Sequence, residues 1–284
     1  MKDVKLSFIG GGNMASSLIG GLLADHLEPT QITVADTNQL ALQDLAARHG
    51  VNTTSNNSQA VSTADVVLLA VKPQVLRAVA EELRDSVQAN KPLIVSVAAG
   101  VRSADLARWL GGKVSLVRAM PNTPALLQAG ATALFANKQV KTGQRNLAES
   151  ILRAAGLTLW VDDEALMDTV TALSGSGPAY FFRIMEAMEA AAIEMGLATE
   201  TAHLLTIQTA LGAAKMALES SEPVSVLRER VTSPGGTTEQ GLRVLDENHI
   251  DKLMAEVLKA AQDRSRELAH ILGADSLGKE GKNE

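Results

Sequence analysis

The chain contains no cysteine. That excludes a disulfide framework, a thiolate nucleophile and a zinc-thiolate centre, and it fits a reducing compartment, so a cytoplasmic location is expected. Aromatic side chains are almost as scarce, with four Phe, two Trp and one Tyr in 284 residues. They are too few and too scattered to form a base-stacking surface. Positive charge is also in deficit: 26 Lys and Arg stand against 32 Asp and Glu, a net charge of −6. No sequence-wide cationic field exists to attract a phosphate backbone or an anionic membrane, so neither nucleic acid nor membrane is expected as a partner. Long apolar runs are missing as well. The best, residues 66–71, falls far short of the roughly 20 needed to span a bilayer, and the start lacks the longer apolar region of a signal peptide. The five histidines, His26, His49, His203, His249 and His270, all lie outside the glycine-rich segments. Neither a metal site nor an imidazole acid-base pair is expected.

What the chain does contain changes character near its middle. Short β-branched runs at residues 4–9, 32–35, 66–71, 93–97, 115–118, 131–135 and 157–161 alternate with segments of helical period, among them 14–24, 38–49 and 144–155. Buried parallel strands joined by helical crossovers read this way. From Asp163 onward the strand-like runs vanish and helix formers take over, broken at Gly196, Glu222-Pro223, Pro234-Gly235-Gly236 and Gly273. The expected architecture is an α/β, doubly wound, mostly parallel sheet over residues 1–161. An all-α domain over 162–273 and a polar tail over 274–284 follow it. Apolar residues recur at helical spacing in Leu204, Ile207, Leu211, Ala214 and Leu218, and again in Met254, Val257, Ala261, Leu268 and Leu272. By themselves these stripes read as ordinary buried core. The helical half is nevertheless poor in large side chains, so it is expected to complete its core against another subunit.

Several segments carry chemistry. Gly10-Gly11-Gly12-Asn13-Met14-Ala15 has the pattern G-x-G-x-x-A between a strand and a helix. The first glycine permits the tight turn, the second lets a pyrophosphate approach the backbone, and the small last position lets helix pack on strand. The helix N-terminus then offers free N–H groups and a positive dipole end. This is the dinucleotide-binding turn of a Rossmann domain. Asp36 lies 26 residues past Gly10, at the end of the second predicted strand, where a carboxylate accepts from a ribose 2′-hydroxyl. It equally suits the N-cap of the following helix. Thr37 and Asn38 are small donors able to receive a 2′-phosphate, so both NAD and NADP remain compatible.

Val71-Lys72-Pro73-Gln74, Ser96-Val97-Ala98-Ala99-Gly100 and Arg118-Ala119-Met120-Pro121-Asn122-Thr123-Pro124 follow further strands. All three fall at the carboxyl edge of the sheet, where open α/β folds bind ligands. Ser174-Gly175-Ser176-Gly177-Pro178 opens the first long helix of the second half, followed by Tyr180, Phe181 and Phe182, whose expected role is to anchor that helix. Thr232-Ser233-Pro234-Gly235-Gly236-Thr237-Thr238-Glu239 precedes another helical run. It reads either as an anion nest or as a cap in which Glu239 pairs with Gly236.

The order and spacing of these segments, above all SGSGPAY and SPGGTT downstream of the dinucleotide turn, resemble pyrroline-5-carboxylate reductase over essentially the whole chain. The resemblance implies reduction of 1-pyrroline-5-carboxylate to L-proline by hydride transfer from NADPH or NADH. It also implies a homodimer with interleaved helical domains, in some members assembled into a larger ring such as a decamer. It places Gly10, Gly11, Gly12, Asn13 and Met14 on the pyrophosphate, and Thr37, Asn38 and Asn57 near the adenosine ribose and phosphate. Val71, Lys72, Pro73 and Ala98 would lie near the nicotinamide ribose, and Glu164 at the cofactor's other side. Ser233, Gly236, Thr237 and Thr238 would hold the substrate, with Thr238 as the catalytic residue that hydrogen-bonds the ring nitrogen. Two other readings share the plan. A 3-hydroxyacid dehydrogenase pattern carries a lysine early in the helix after the glycine-rich segment, whereas residues 178–186 have Arg183 and no lysine. A non-catalytic dinucleotide-binding protein would have no need of the Ser174 to Pro178 and Ser233 to Thr238 segments.

Overall fold

The computed structural model describes residues 3–274; the expected tail lies outside the described residues apart from Ala274. Among the described residues eight strands form one sheet: β1 (Leu6–Ile9), β2 (Ile32–Ala35), β3 (Asn52–Thr54), β4 (Val66–Leu69), β5 (Leu93–Ser96), β6 (Leu116–Met120), β7 (Gly130–Ala136) and β8 (Gly156–Trp160). Their order is β3-β2-β1-β4-β5-β6-β7-β8. Every neighbouring pair is parallel except β6 with β7. The strand order reverses between β1 and β4, and the crevice beyond their carboxyl ends is the expected ligand position.

Six helices flank this sheet: α1 (Asn13–Ala24), α2 (Gln39–His49), α3 (Asn57–Val61), α4 (Pro73–Asn90), α5 (Ser103–Trp109) and α6 (Thr142–Arg153). Successive strand residues point to opposite faces, and two apolar clusters result. Leu6 and Phe8 pack with α1, α2 and α6 on one side, while Ile9, Val67 and Leu69 pack with α3, α4 and α5 on the other. Strand β3 has no counterpart among the sequence-predicted runs. Its Asn-Thr-Thr sequence sits at the sheet's edge, largely exposed, and carries no apolar alternation to betray it.

The described residues divide into two compact units, residues 3–176 with 261–274, and residues 177–260. Secondary structure thus changes type after Trp160, whereas the first compact unit also takes in α7 (Leu166–Val170), the π-helical turn Thr171–Gly175 and the last part of α12 (Ile250–Gly273). Specific polar contacts hold these helical pieces to one another and to the sheet. The Ser265 hydroxyl donates to Asp168 Oδ1 at 2.7 Å, Gln262 Nε2 donates to Thr169 Oγ1 at 2.6 Å, and Arg118 on β6 pairs with Glu164. Gly100, at a φ of 69°, lies against Leu268 and Leu272, so a side chain there would meet α12.

The second unit contains α8 (Gly177–Glu194), α9 (Thr199–Glu219), α10 (Val224–Arg230), α11 (Thr237–Glu247) and the first part of α12. Its apolar stripes are not a buried core. Leu204, Ile207, Leu211 and Leu218 on α9 are exposed, as are Phe181 and Phe182 on α8 at 65 % and 63 %. Phe181 and Phe182 therefore do not anchor the helix inside the chain, while Tyr180 is half-buried. Only Gly177 is buried on α8, only Ala202 and Thr206 on α9, and nothing on α10 or α11. A helical unit that leaves this much apolar surface open has its core completed elsewhere. No helix among the described residues is long and apolar enough to cross a membrane.

Candidate active site

The glycine-rich turn lies at the end of β1. Gly10 and Gly11 are buried, Gly12 and Asn13 exposed. Gly10 has a φ of 102°, and a Cβ there would stand 2.7 Å from the Ala70 carbonyl oxygen. Only glycine fits both the backbone angle and the gap between β1 and β4. The Gly10 N–H donates to Ala35 O at 2.8 Å and the Gly11 N–H to Asp36 Oδ2 at 2.7 Å. Those two amides are spent within the chain. Gly12 is the N-cap of α1 and no side chain caps the helix, so its first-turn amides, from Asn13, lie uncapped at the positive end of the helix dipole.

The neighbouring turn after β2 is equally ordered. Asn38, not Asp36, caps α2, its Oδ1 accepting from the amides of Leu40 and Ala41. Asp36 spans from the glycine-rich turn to this one, its Oδ1 accepting from the Asn38 N–H at 2.8 Å. Thr37 is exposed beside them. Asn57 opens α3, with its Nδ2 reaching both carboxylate oxygens of Glu82 at 3.3 Å. After β4, Lys72 is the exposed N-cap of α4 and Pro73 occupies its first turn, where a missing N–H costs nothing. Ala98, after β5, is buried, and its N–H faces the buried Ser96 hydroxyl at 3.4 Å.

Glu164 is engaged within the chain itself. Its Oε1 accepts from the Ser103 N–H and from Arg118 Nη1, both at 2.6 Å, and its Oε2 accepts from the Ser103 hydroxyl at 2.6 Å. Ser103 opens α5, so the carboxylate sits at that helix's N-terminus while neutralising a guanidinium in the sheet. Asn122 ties two loops together. Its Nδ2 donates to Ser174 O at 3.0 Å and its Oδ1 accepts from the Ala131 N–H at 2.9 Å. Gly175 is pressed so closely against Met120 that a Cβ would stand 2.4 Å from the methionine's Cε. The Arg118 to Pro124 loop and the start of the SGSGP segment thus meet across a π-helical turn, a distortion that recurs at functional sites. No side-chain role for Arg118 or Asn122 was legible beforehand. The available signal was an arginine inside an otherwise apolar strand, which requires a buried partner.

In the second unit, the segment from Ser233 forms a tight turn into α11. The Gly236 N–H donates to Ser233 O at 2.9 Å, and Gly235 adopts a φ of 71°. Gly236 is the helix N-cap and carries no side-chain cap. Glu239 reaches the Gly235 N–H at 2.8 Å, one residue before the position a capping box requires. The amides of Thr237 and Thr238 are thereby left uncapped, and both residues are exposed. The reciprocal cap between Glu239 and Gly236 is therefore not formed, and the Glu239 carboxylate occupies the Gly235 amide instead. Arg230 is held by Glu222.

A polar groove of about 610 Å³, lined by Gly21, Asp25, Gln128, Glu149 and Arg153, contains none of these residues. On its rim the Trp160 indole N–H holds the Glu149 carboxyl below the ordinary carboxylate range.

Two family models match the chain: pyrroline-5-carboxylate reductase dimerisation over residues 164–268, and NADP oxidoreductase, coenzyme F420-dependent, over residues 5–100. The chain is 48 % identical to the pyrroline-5-carboxylate reductase of Pseudomonas aeruginosa, covering 96 % of this chain and 100 % of that one. It is 43 % identical to that of Haemophilus influenzae, covering 94 % and 98 %. Among solved structures it resembles a pyrroline-5-carboxylate reductase from Coxiella burnetii with a TM-score of 0.90 at 49 % identity, covering 94 % and 98 %. It also resembles the Plasmodium falciparum pyrroline carboxylate reductase solved with NADP bound, with a TM-score of 0.83 at 27 % identity, covering 95 % and 99 %. With the dinucleotide turn, the SGSGP segment and the uncapped SPGGTT turn all in place along the full length of such relatives, the chain belongs to the pyrroline-5-carboxylate reductase family.

Proposed function

We propose that this chain reduces 1-pyrroline-5-carboxylate to L-proline with a hydride from NADPH or NADH, as the last step of proline synthesis, in the cytoplasm. The observation that carries the cofactor reading is the pair formed by the Gly10 gap, which any Cβ would fill, and the uncapped first turn of α1 beside it. In this reading the amides at Gly12, Asn13 and Met14 receive the pyrophosphate, while Gly10 and Gly11 act through close packing of the turn on the chain rather than as donors. Thr37, Asn38 and Asn57 receive the adenosine end, and Val71, Lys72, Pro73 and Ala98 the nicotinamide end. Glu164 acts on this site by fixing α5 and β6 through Ser103 and Arg118. The nicotinamide supplies the hydride when bound.

The uncapped amides at Thr237 and Thr238 suit the substrate carboxylate, with Ser233 and Gly236 shaping the turn. A protonated cyclic imine is already electrophilic, so the chain's own contribution is positioning and electrostatic stabilisation rather than strong acid catalysis. The Thr238 hydroxyl hydrogen-bonds the ring nitrogen as it becomes an amine, orienting the substrate. Thr238→Ala is therefore expected to lower kcat/KM for pyrroline-5-carboxylate by about tenfold to a hundredfold, the loss of one or two charge-assisted contacts. Unchanged steady-state kinetics would remove Thr238 from the mechanism.

The exposed apolar faces of α8 and α9 support a homodimer with interleaved helical domains, extended in the same reading to a ring of dimers such as a decamer. Leu211→Glu, at a half-exposed position of the α9 stripe, places an unpaired carboxylate in that interface. It is expected to weaken association by about a hundredfold or more, measured by sedimentation velocity over a concentration series.

A further inference from the structure

We infer that Asp36 is a positioning residue of the cofactor site: its carboxylate clamps the glycine-rich turn to the turn after β2 instead of accepting from a ribose hydroxyl. The inference rests on the reading above in which the amides from Gly12 onward hold the pyrophosphate.

Each carboxylate oxygen can accept two hydrogen bonds, and here each already holds one backbone donor. Oδ2 takes the Gly11 N–H at 2.7 Å and Oδ1 takes the Asn38 N–H at 2.8 Å. Both are short, charge-assisted bonds, about twice as strong as neutral ones. The preceding residue extends the same seam, since Ala35 O accepts from the Gly10 N–H at 2.8 Å. Two consecutive amides of the glycine-rich turn are thus fastened to two consecutive residues at the end of β2. The amides that follow, from Gly12, are the exposed ones left for an anion.

Gly11 is shaped by the clamp as well. A Cβ on Gly11 would stand 2.9 Å from Leu45 Cδ1 on α2 and 3.5 Å from Asp36 Oδ2. Its missing side chain lets the tip of Leu45 and the carboxylate close on the turn, so a side chain there would have to displace Leu45. At the other end of the clamp, Asn38 caps α2 through Oδ1, leaving its Nδ2 and the exposed Thr37 hydroxyl at the turn. Asp36 therefore sets the separation between the turn that meets the pyrophosphate and the turn that meets the adenosine ribose.

The two roles for Asp36 predict opposite signs. A ribose acceptor favours NADH and repels a 2′-phosphate, so its neutralisation weakens NADH and tightens NADPH. A clamp serves both nucleotides, so its loss weakens both. The test uses the full chain with Asp36→Asn and Asp36→Ala, titrated with NADPH and NADH by fluorescence, alongside kcat at saturating cofactor and the thermal midpoint. For Asp36→Asn both Kd values are expected to rise about tenfold, and for Asp36→Ala up to about a hundredfold, from one and two lost charge-assisted bonds. The NADPH to NADH ratio stays within about threefold of wild type and kcat within about twofold, because binding geometry and not chemistry is altered. Opposite shifts for the two nucleotides, or a lowered midpoint with unchanged Kd values, would overturn the inference. Independently of any variant, the Gly11 amide of the free wild-type chain is expected to be strongly protected from hydrogen exchange, and rapid exchange would overturn it too. The reading beneath it fails separately, in the wild type, if neither nucleotide binds saturably.

Discussion

Arg118→Leu is expected to cost the first unit about 3 to 5 kcal/mol of stability, the penalty for leaving a partly buried charge without its partner. The Arg118 side chain is 9 % exposed and that of Glu164 25 %, so the guanidinium is buried and the carboxylate partly so. The guanidinium is one of three donors to Glu164. The other two, the Ser103 amide and hydroxyl, hold the carboxylate in place after the substitution and prevent its escape to solvent. Urea unfolding at fixed protein concentration measures the loss, concentration being held because association contributes to the apparent stability. The double variant Arg118→Leu with Glu164→Leu is expected to recover much of it, since removing both charges of a buried pair is far less costly than removing one. A single variant within about 1 kcal/mol of wild type would show that the pair is solvated in solution.

Gly10→Ala is the second large effect, and it joins stability to function. Alanine at a φ of 102° meets the Ala70 carbonyl oxygen at 2.7 Å, the Ala70 carbonyl carbon at 2.8 Å and the Val71 nitrogen at 3.0 Å. These are backbone atoms, which no rotamer change relieves. The left-handed angle and the overlap together are expected to cost about 2 to 5 kcal/mol. The turn relaxes by moving away from β4, carrying the first amides of α1 with it. A displacement of that kind is expected to raise the Kd for NADPH by about a hundredfold or more. Gly12→Ala is the control. Nothing lies within 4 Å of a Cβ at that position, so the thermal midpoint is expected to stay near that of wild type. A Gly10→Ala chain with wild-type midpoint and Kd would contradict the packing described between β1 and β4.

Much of the first unit was legible in the residues because its physics is local. The run 66–71 contains β4 because a parallel strand buried on both faces must be apolar throughout. The turn at Gly10 was legible because a tight strand-to-helix turn demands glycine wherever it occurs. Strand β3 was not, because three polar residues at a sheet edge carry no periodic signal. The stripe Leu204, Ile207, Leu211 and Leu218 was legible as a helix but not as to what buries it. Period alone reports that a face is apolar, and a face left open within one chain has the same sequence as one packed inside it.

The candidate site divides along the same line. By itself the sequence determined where the backbone is shaped by glycine and proline, at G-x-G-x-x-A, SGSGP and SPGGTT, because their conformational rules act residue by residue. Only the tertiary structure decided what the charged and amide side chains do. Glu164 faces Arg118 and Ser103 across 46 and 61 residues of chain, Asn122 meets Ser174 across 52, and Asp36 meets Gly11 across 25. A carboxylate's role is set by the donors within about 3 Å of its oxygens. Apart from the Asn38 amide, two residues past Asp36, the donors are brought by the fold from elsewhere in the chain, so no local pattern names them.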